Sequence, residues 1–243
     1  MTDETQIRAG LFLDKGFGRE QRSDMKPRLS NRLTAALTLV EVMVLVFVLA
    51  VLVAIILPAL AKAKTGSRIH CINCLKQIGL SYQVWAGDNS GKYPIEISIT
   101  NGGSMEMAAK GDVVATFQVM SNELSTPRIL VCPQDANRSA ATNFYSGITA
   151  KNISYFVGLD ANTNSPHTFL SGDRNIVVGN KRNGILEITR DDSVGWSSEL
   201  HNGIGNIAFA DGSVQQTASR GTSWNLREVI RQAGLTTNRL AIP

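Results

Sequence analysis

This chain has no second Cys-x-x-Cys pair, no long run of like charge and no recognisable nucleophile turn. Its cysteines number three, Cys71, Cys74 and Cys132. Cys71-x-x-Cys74 would suit zinc or redox chemistry, but a structural zinc site takes about four ligands and no second pair follows. A twelve-residue calcium loop of the helix–loop–helix type is absent as well. The net charge is +4, yet the basic residues form no stripe, so nucleic acid is not an expected partner. Ser197 and Ser198 lie near His201 in the sequence but in no nucleophile elbow, which argues against hydrolysis and against an enzyme.

Charge is scarcest from Leu37 to Leu60, where the only ionisable residue is Glu41 and the only proline is Pro58. A bilayer core about 30 Å thick needs roughly 20 apolar residues in a helix, so this run is long enough to cross it. A signal peptide would be shorter and would end in a small-residue cleavage site. Here Ala59 to Lys64 continue as good helix. Lys26, Arg28 and Arg32 precede the run with no intervening acid, which favours a cytoplasmic N-terminus, although Lys62, Lys64 and Arg68 beyond it weaken that argument. A carboxylate inside a membrane helix costs about 2.5–3.5 kcal/mol on insertion scales and calls for a partner. The free N-terminal ammonium of a neighbouring identical helix would serve. That amine exists only if the chain is cut just before Leu37.

The stretch Ala35-Ala36-Leu37-Thr38-Leu39-Val40-Glu41 resembles the cleavage and methylation site of type IV prepilins and type II secretion pseudopilins. The resemblance implies that a prepilin peptidase cuts between Ala36 and Leu37 and N-methylates Leu37. Thr38, Leu39, Val40 and Glu41 match the family's T-L-V-E, and Pro58 falls where many members also carry a proline. The family usually has Gly before the cut and Phe after it. Ala36 and Leu37 depart from that pattern, which implies slower cleavage. Two further stretches resemble prepilin-like proteins of planctomycete and verrucomicrobial genomes. One is the helix and turn from Cys71 to Pro94. The other is His201 with nine residues before Asp211-Gly212.

The implied architecture is α+β and pilin-like, a long N-terminal transmembrane helix packed on an antiparallel sheet head. Residues 1–36 form a leader whose true start is expected at Met25; 37–60 are the membrane helix, 61–86 its amphipathic extension, and 87–243 the head. The implied setting is the bacterial inner membrane, single-pass, with the head periplasmic or extracellular. The implied partners are other pilin or pseudopilin subunits, the peptidase and an assembly platform. Some pseudopilins bind calcium in the head, which makes Asp173 and Asp211, with Asp191 and Asp192, candidate ligands. No other cofactor is expected. A membrane-tethered module that binds a glycan or a protein is the alternative; Trp196 and Trp224 could serve its surface, although core packing is the leading expectation for both.

Residue patterns set further expectations. The first helix should run from about Leu33 to Ala86 with a kink at Pro58. Ile72, Leu75, Ile78, Tyr82 and Trp85 recur at helical spacing and predict a face packed on the sheet. Val113–Met120 could be helix or strand. Arg128–Pro133 and Ile153–Leu159 read as strands, Thr168–Leu170 and Asn175–Val178 flank Ser171–Arg174, and Trp224–Gln232 reads as a short helix. Gly205–Ala210 and Ser213–Thr217 predict a hairpin with Asp211-Gly212 as a two-residue turn. Asp211 would set that turn and His201 would bond nearby backbone. On the exported side a disulfide is permitted. Cys71–Cys132 is the expected pairing and Cys74–Cys132 the rival.

Overall fold

The structure is a computed structural model that describes residues 38–178, 180–182, 184–219 and 225–243, with the side chains of 57–67 and 180–182 outside the description. The chain divides into two units after Ala50. Helix α1 (Leu39–Asp88) extends across that point. The expected start at Leu33 and the side chain of Pro58, with the bend expected there, lie outside the described residues. The window Leu39–Ile56 has a mean hydropathy of 3.2 and none of it is buried. Among the described residues it is the one stretch long and apolar enough to cross a membrane.

The head is α+β. The end of α1 supplies one layer: Cys71, Cys74, Leu75, Ile78, Tyr82 and Trp85 are buried at three- and four-residue spacing, while Ile72 is only half-buried. Three short helices follow, α2 (Met105–Ala108), α3 (Val113–Val119) and α4 (Ser121–Leu124). Asp112 caps α3 by accepting from Val114 N and Ala115 N. Arg128–Pro133 is not a strand. Residues Pro127–Leu130 form a 3₁₀ turn, because Pro127 opens it and the Thr126 hydroxyl accepts from Arg128 N.

The strands are β1 (Tyr155–Gly158), β2 (Phe169–Asp173), β3 (Ile176–Val177), β4 (Asn180–Arg182), β5 (Ile185–Thr189), β6 (Gly195–Trp196), β7 (Ile204–Phe209), β8 (Val214–Ala218) and β9 (Thr237–Ala241). Seven of them form one antiparallel sheet in the order β4-β5-β9-β1-β2-β7-β8, and β3 pairs with β6 apart from it. β2 passes straight through Ser171-Gly172-Asp173. A Cβ at Gly172 would come within 2.6 Å of the Phe156 ring, so the small residue belongs to a crowded strand rather than a turn.

Alternation along the strands divides the core in two. Tyr155, Val157, Leu170 and Ala208 face α1 and the short helices. Phe156, Phe169, Ile207, Leu240 and Trp196 face helix α5 (Leu226–Gln232). Both sheet faces are therefore covered, and β1 and β2 are buried at every position.

The β7–β8 hairpin closes with three residues instead of two. Phe209 N donates to Ser213 O at 2.9 Å and Gly212 N donates to Phe209 O at 2.9 Å. Gly212 alone in the turn has a positive φ, 80°. This is a type I turn followed by a left-handed residue, with Asp211 Oδ1 accepting from Ser213 N. The turn rests on α1, where a Cβ at Gly79 would sit 3.6 Å from Gly212 Cα. Gly212→Ala should cost about 1–2 kcal/mol of head stability through the left-handed backbone alone. The Gln83 amide it also meets is the free end of a flexible side chain. Urea denaturation of the two chains checks this; an unchanged midpoint would refute it.

Candidate functional site

The N-terminal motif is described from Thr38 onward; Ala36 and Leu37 lie outside. Thr38 caps α1, its hydroxyl accepting from Glu41 N at 3.3 Å. Leu39, Val40 and Glu41 are exposed. The Glu41 carboxylate has no partner among the described residues and borders a shallow apolar groove lined by Val44, Leu45, Val48 and Leu49. A lone carboxylate on an otherwise apolar helix surface is costly until another group meets it.

The second candidate lies inside the head. Cys71 of α1 and Cys132 of the loop after the 3₁₀ turn form a disulfide with Cα atoms 5.5 Å apart. Cys74 is free and buried. Its sulfur lies 3.4 Å from His70 Nδ1; burial pushes its thiol up, partly offset by a hydrogen bond with Tyr155. His201 is wholly buried against the disulfide, with Nε2 3.5 Å from Cys132 Sγ. Its Nδ1 is 3.2 Å from Gln134 Oε1, and Nε2 is also 3.5 Å from Asp173 Oδ2. The expected bonds from His201 to backbone are thus replaced by side-chain contacts, since the ring points inward between β2 and the Cys132 loop. Burial, and then the charge of Arg68, lower the ring's pKa and favour neutral imidazole.

Asp173 ends β2 and is fully buried. Asn206 donates to its Oδ2 twice, from N at 2.8 Å and from Nδ2 at 2.9 Å, while Oδ1 has no partner among the described residues. Burial pushes its carboxyl up to about 7, against the lowering effect of the Asn206 bonds. Beside it runs an ion-pair network. Arg174 reaches Asp135 with Nε at 2.7 Å and Nη2 at 2.8 Å, and Glu199 with Nη1 at 3.1 Å. The Ser154 hydroxyl donates to Asp135 Oδ2 at 2.9 Å.

Asp173 and Asp211, expected to share calcium, are not brought together. Asp173 lies beside Asn206 at one end of the β2–β7 pair, and Asp211 follows Phe209, which pairs with Phe169 at the other. Four strand residues separate those ends, about 13 Å at the usual rise. Asp192 Oδ2 instead accepts from Thr189 N. Trp196 packs in the core, the leading expectation for it, and is no contact surface. It is 5% exposed, its Nε1 donates to Thr217 Oγ1 at 2.9 Å, and its ring covers Gly205, where a Cβ would come within 2.3 Å. Trp224 lies outside the described residues.

His201 and Asp211-Gly212 therefore do two separate jobs at the two ends of one strand and its turn: His201 abuts the disulfide, and Gly212 seats the turn on α1. The Asp135–Arg174 pair was not foreseen, and only the acid and base themselves, 39 residues apart, could have signalled it. Comparison with known protein families, curated proteins and solved structures finds no match for the chain.

Proposed function

We propose that this chain is a pilin-like structural subunit of a type II secretion pseudopilus or type IV pilus-like fibre, acting in secretion or surface attachment and not as an enzyme. The observation that carries the reading is α1. One helix of 50 residues is wholly exposed and apolar over Leu39–Ile56, bears near its start one acid with no partner among the described residues, and buries its other end as a layer of the head core. An apolar helix surface of this kind needs lipid or other helices around it. In the proposed cycle the chain sits in the inner membrane with its head exported. A prepilin peptidase removes the residues up to Ala36 and methylates Leu37. The helices then bundle, with Glu41 of one subunit against the Leu37 ammonium of its neighbour.

Intact mass and terminal sequencing of the membrane-extracted protein test this. The expected N-terminus is N-methyl-Leu37. A chain that still carries Lys26–Ala36 would overturn processing and leave a membrane-tethered binding module as the reading to pursue.

A further inference from the structure

The buried group of Cys71, Cys132 and His201 is not used by a fibre subunit, whose disulfide needs no imidazole beside it. Their ligand atoms all lie within 4.8 Å of one another. We propose that when the Cys71–Cys132 bond is reduced, the two sulfurs and His201 Nε2 form a binding site for a divalent ion of the zinc class.

Four features of the structure support this. In a tetrahedral site with zinc–sulfur and zinc–nitrogen bonds of about 2.3 and 2.0 Å, sulfur and nitrogen ligands stand about 3.5 Å apart. Cys132 Sγ and His201 Nε2 are 3.5 Å apart already. Gln134 Oε1 is placed to accept from Nδ1–H; this holds the tautomer whose Nε2 lone pair faces the sulfurs, as metal-bound imidazoles are usually held. A carboxylate oxygen, Asp173 Oδ2, lies 3.5 Å from Nε2 beside the three ligands but outside their 4.8 Å group, and the other oxygen of that carboxyl has no partner among the described residues. Finally, two thiolates neutralise a dication, so with a neutral ring the three-ligand core carries no net charge into a buried place.

The chemistry balances. A dithiol reductant gives two electrons and two protons to the disulfide, becomes a disulfide itself and leaves two thiols. Metal binding then releases both thiol protons. The disulfide and the metal site are mutually exclusive states of the same two sulfurs. Cys74 takes no part, since its sulfur contacts His70 instead. The Cys-x-x-Cys spacing thus does not mark the ligand pair, whose members come from distant segments. This inference does not depend on fibre assembly.

Full-length protein in detergent, kept under a phosphine reductant from extraction onward, is titrated with cobalt(II). The expected result is one cobalt per chain with a thiolate-to-cobalt charge-transfer band and the strong visible bands of four-coordinate cobalt, displaced by zinc. The band should be absent from the oxidised chain, lost in Cys132→Ser and kept in Cys74→Ser. Gln134→Ala leaves all three ligands in place and should weaken cobalt binding about 10–100-fold, which separates ligation from mere misfolding of the cysteine variant. No charge-transfer band in the reduced wild type would overturn the proposal. So would a band that needs Cys74 rather than Cys132, or a reduced chain that loses its near-ultraviolet circular dichroism and does not regain it with zinc.

Discussion

Glu41→Ala is expected to remove the protein from any fibre while leaving its amount in the membrane unchanged. The isolated helix gains from the change, because a carboxylate within a membrane segment costs about 2.5–3.5 kcal/mol. The assembled state loses. There the carboxylate would face a neighbour's ammonium in a medium of low dielectric, and taking one member from such a pair leaves the other charge buried and unpaired. That costs about 3–5 kcal/mol, which is two to three and a half orders of magnitude in association at each contact. A repeating fibre meets this loss at every subunit. Glu41→Gln separates charge from shape: it keeps the size and a hydrogen-bonding head, and should fail nearly as badly. Sheared-fibre and membrane fractions probed for the two variants give the answer. Glu41→Ala at wild-type level in the fibre fraction would remove Glu41 from any role in register.

Arg174→Met should cost the head about 3–5 kcal/mol near neutral pH, because it strands Asp135 as a buried, unpaired charge. The side chains are 12% and 1% exposed, and the contact is two-pronged, a geometry that lysine cannot reproduce. Burial by itself would raise the Asp135 carboxyl, but the Arg174 guanidinium, with help from Ser154, outweighs burial and holds it below the usual carboxylate range. A carboxyl lowered in the folded state stabilises the protein above its unfolded value, about 3.9, and that stability is lost as pH falls through the folded value. In the variant burial acts without the guanidinium, so the charged form is penalised at neutral pH. The gap between wild type and variant is therefore largest near pH 7 and narrows at about pH 4 and below. Arg174→Lys should recover part of the loss. Urea denaturation at several pH values reads all of this; a neutral-pH loss under about 1 kcal/mol, or a gap that widens on acidification, would refute the assignment.

How much of this was legible in the chain depended on the range of the interactions. β1 was readable because a short apolar run between turn residues has few other uses. β9 was not. Its five residues carry Arg239 at the centre and become a strand only because β1 and β5 offer an edge on either side. The turn at Asp211-Gly212 was visible, but its length was not, since Ala210 joins the loop when Tyr93 Oη donates to its carbonyl from across the head. Asp173 read as a loop carboxylate because Gly172 precedes it, and only the Phe156 ring over that glycine explains the strand.

The sequence by itself determined the single long apolar run with its one acid, the helical spacing that buries the end of α1, and the presence of a late hairpin. These depend on composition and on periods of two and 3.6 residues, which operate within a few turns of chain. Only the tertiary structure decided that Cys71 pairs with Cys132 across a separation of 61 residues, that His201 closes on that bond from 69 residues away, and that Arg174 meets Asp135. Contacts of that range are set by how the layers pack on the two faces of the sheet, and no local period encodes them.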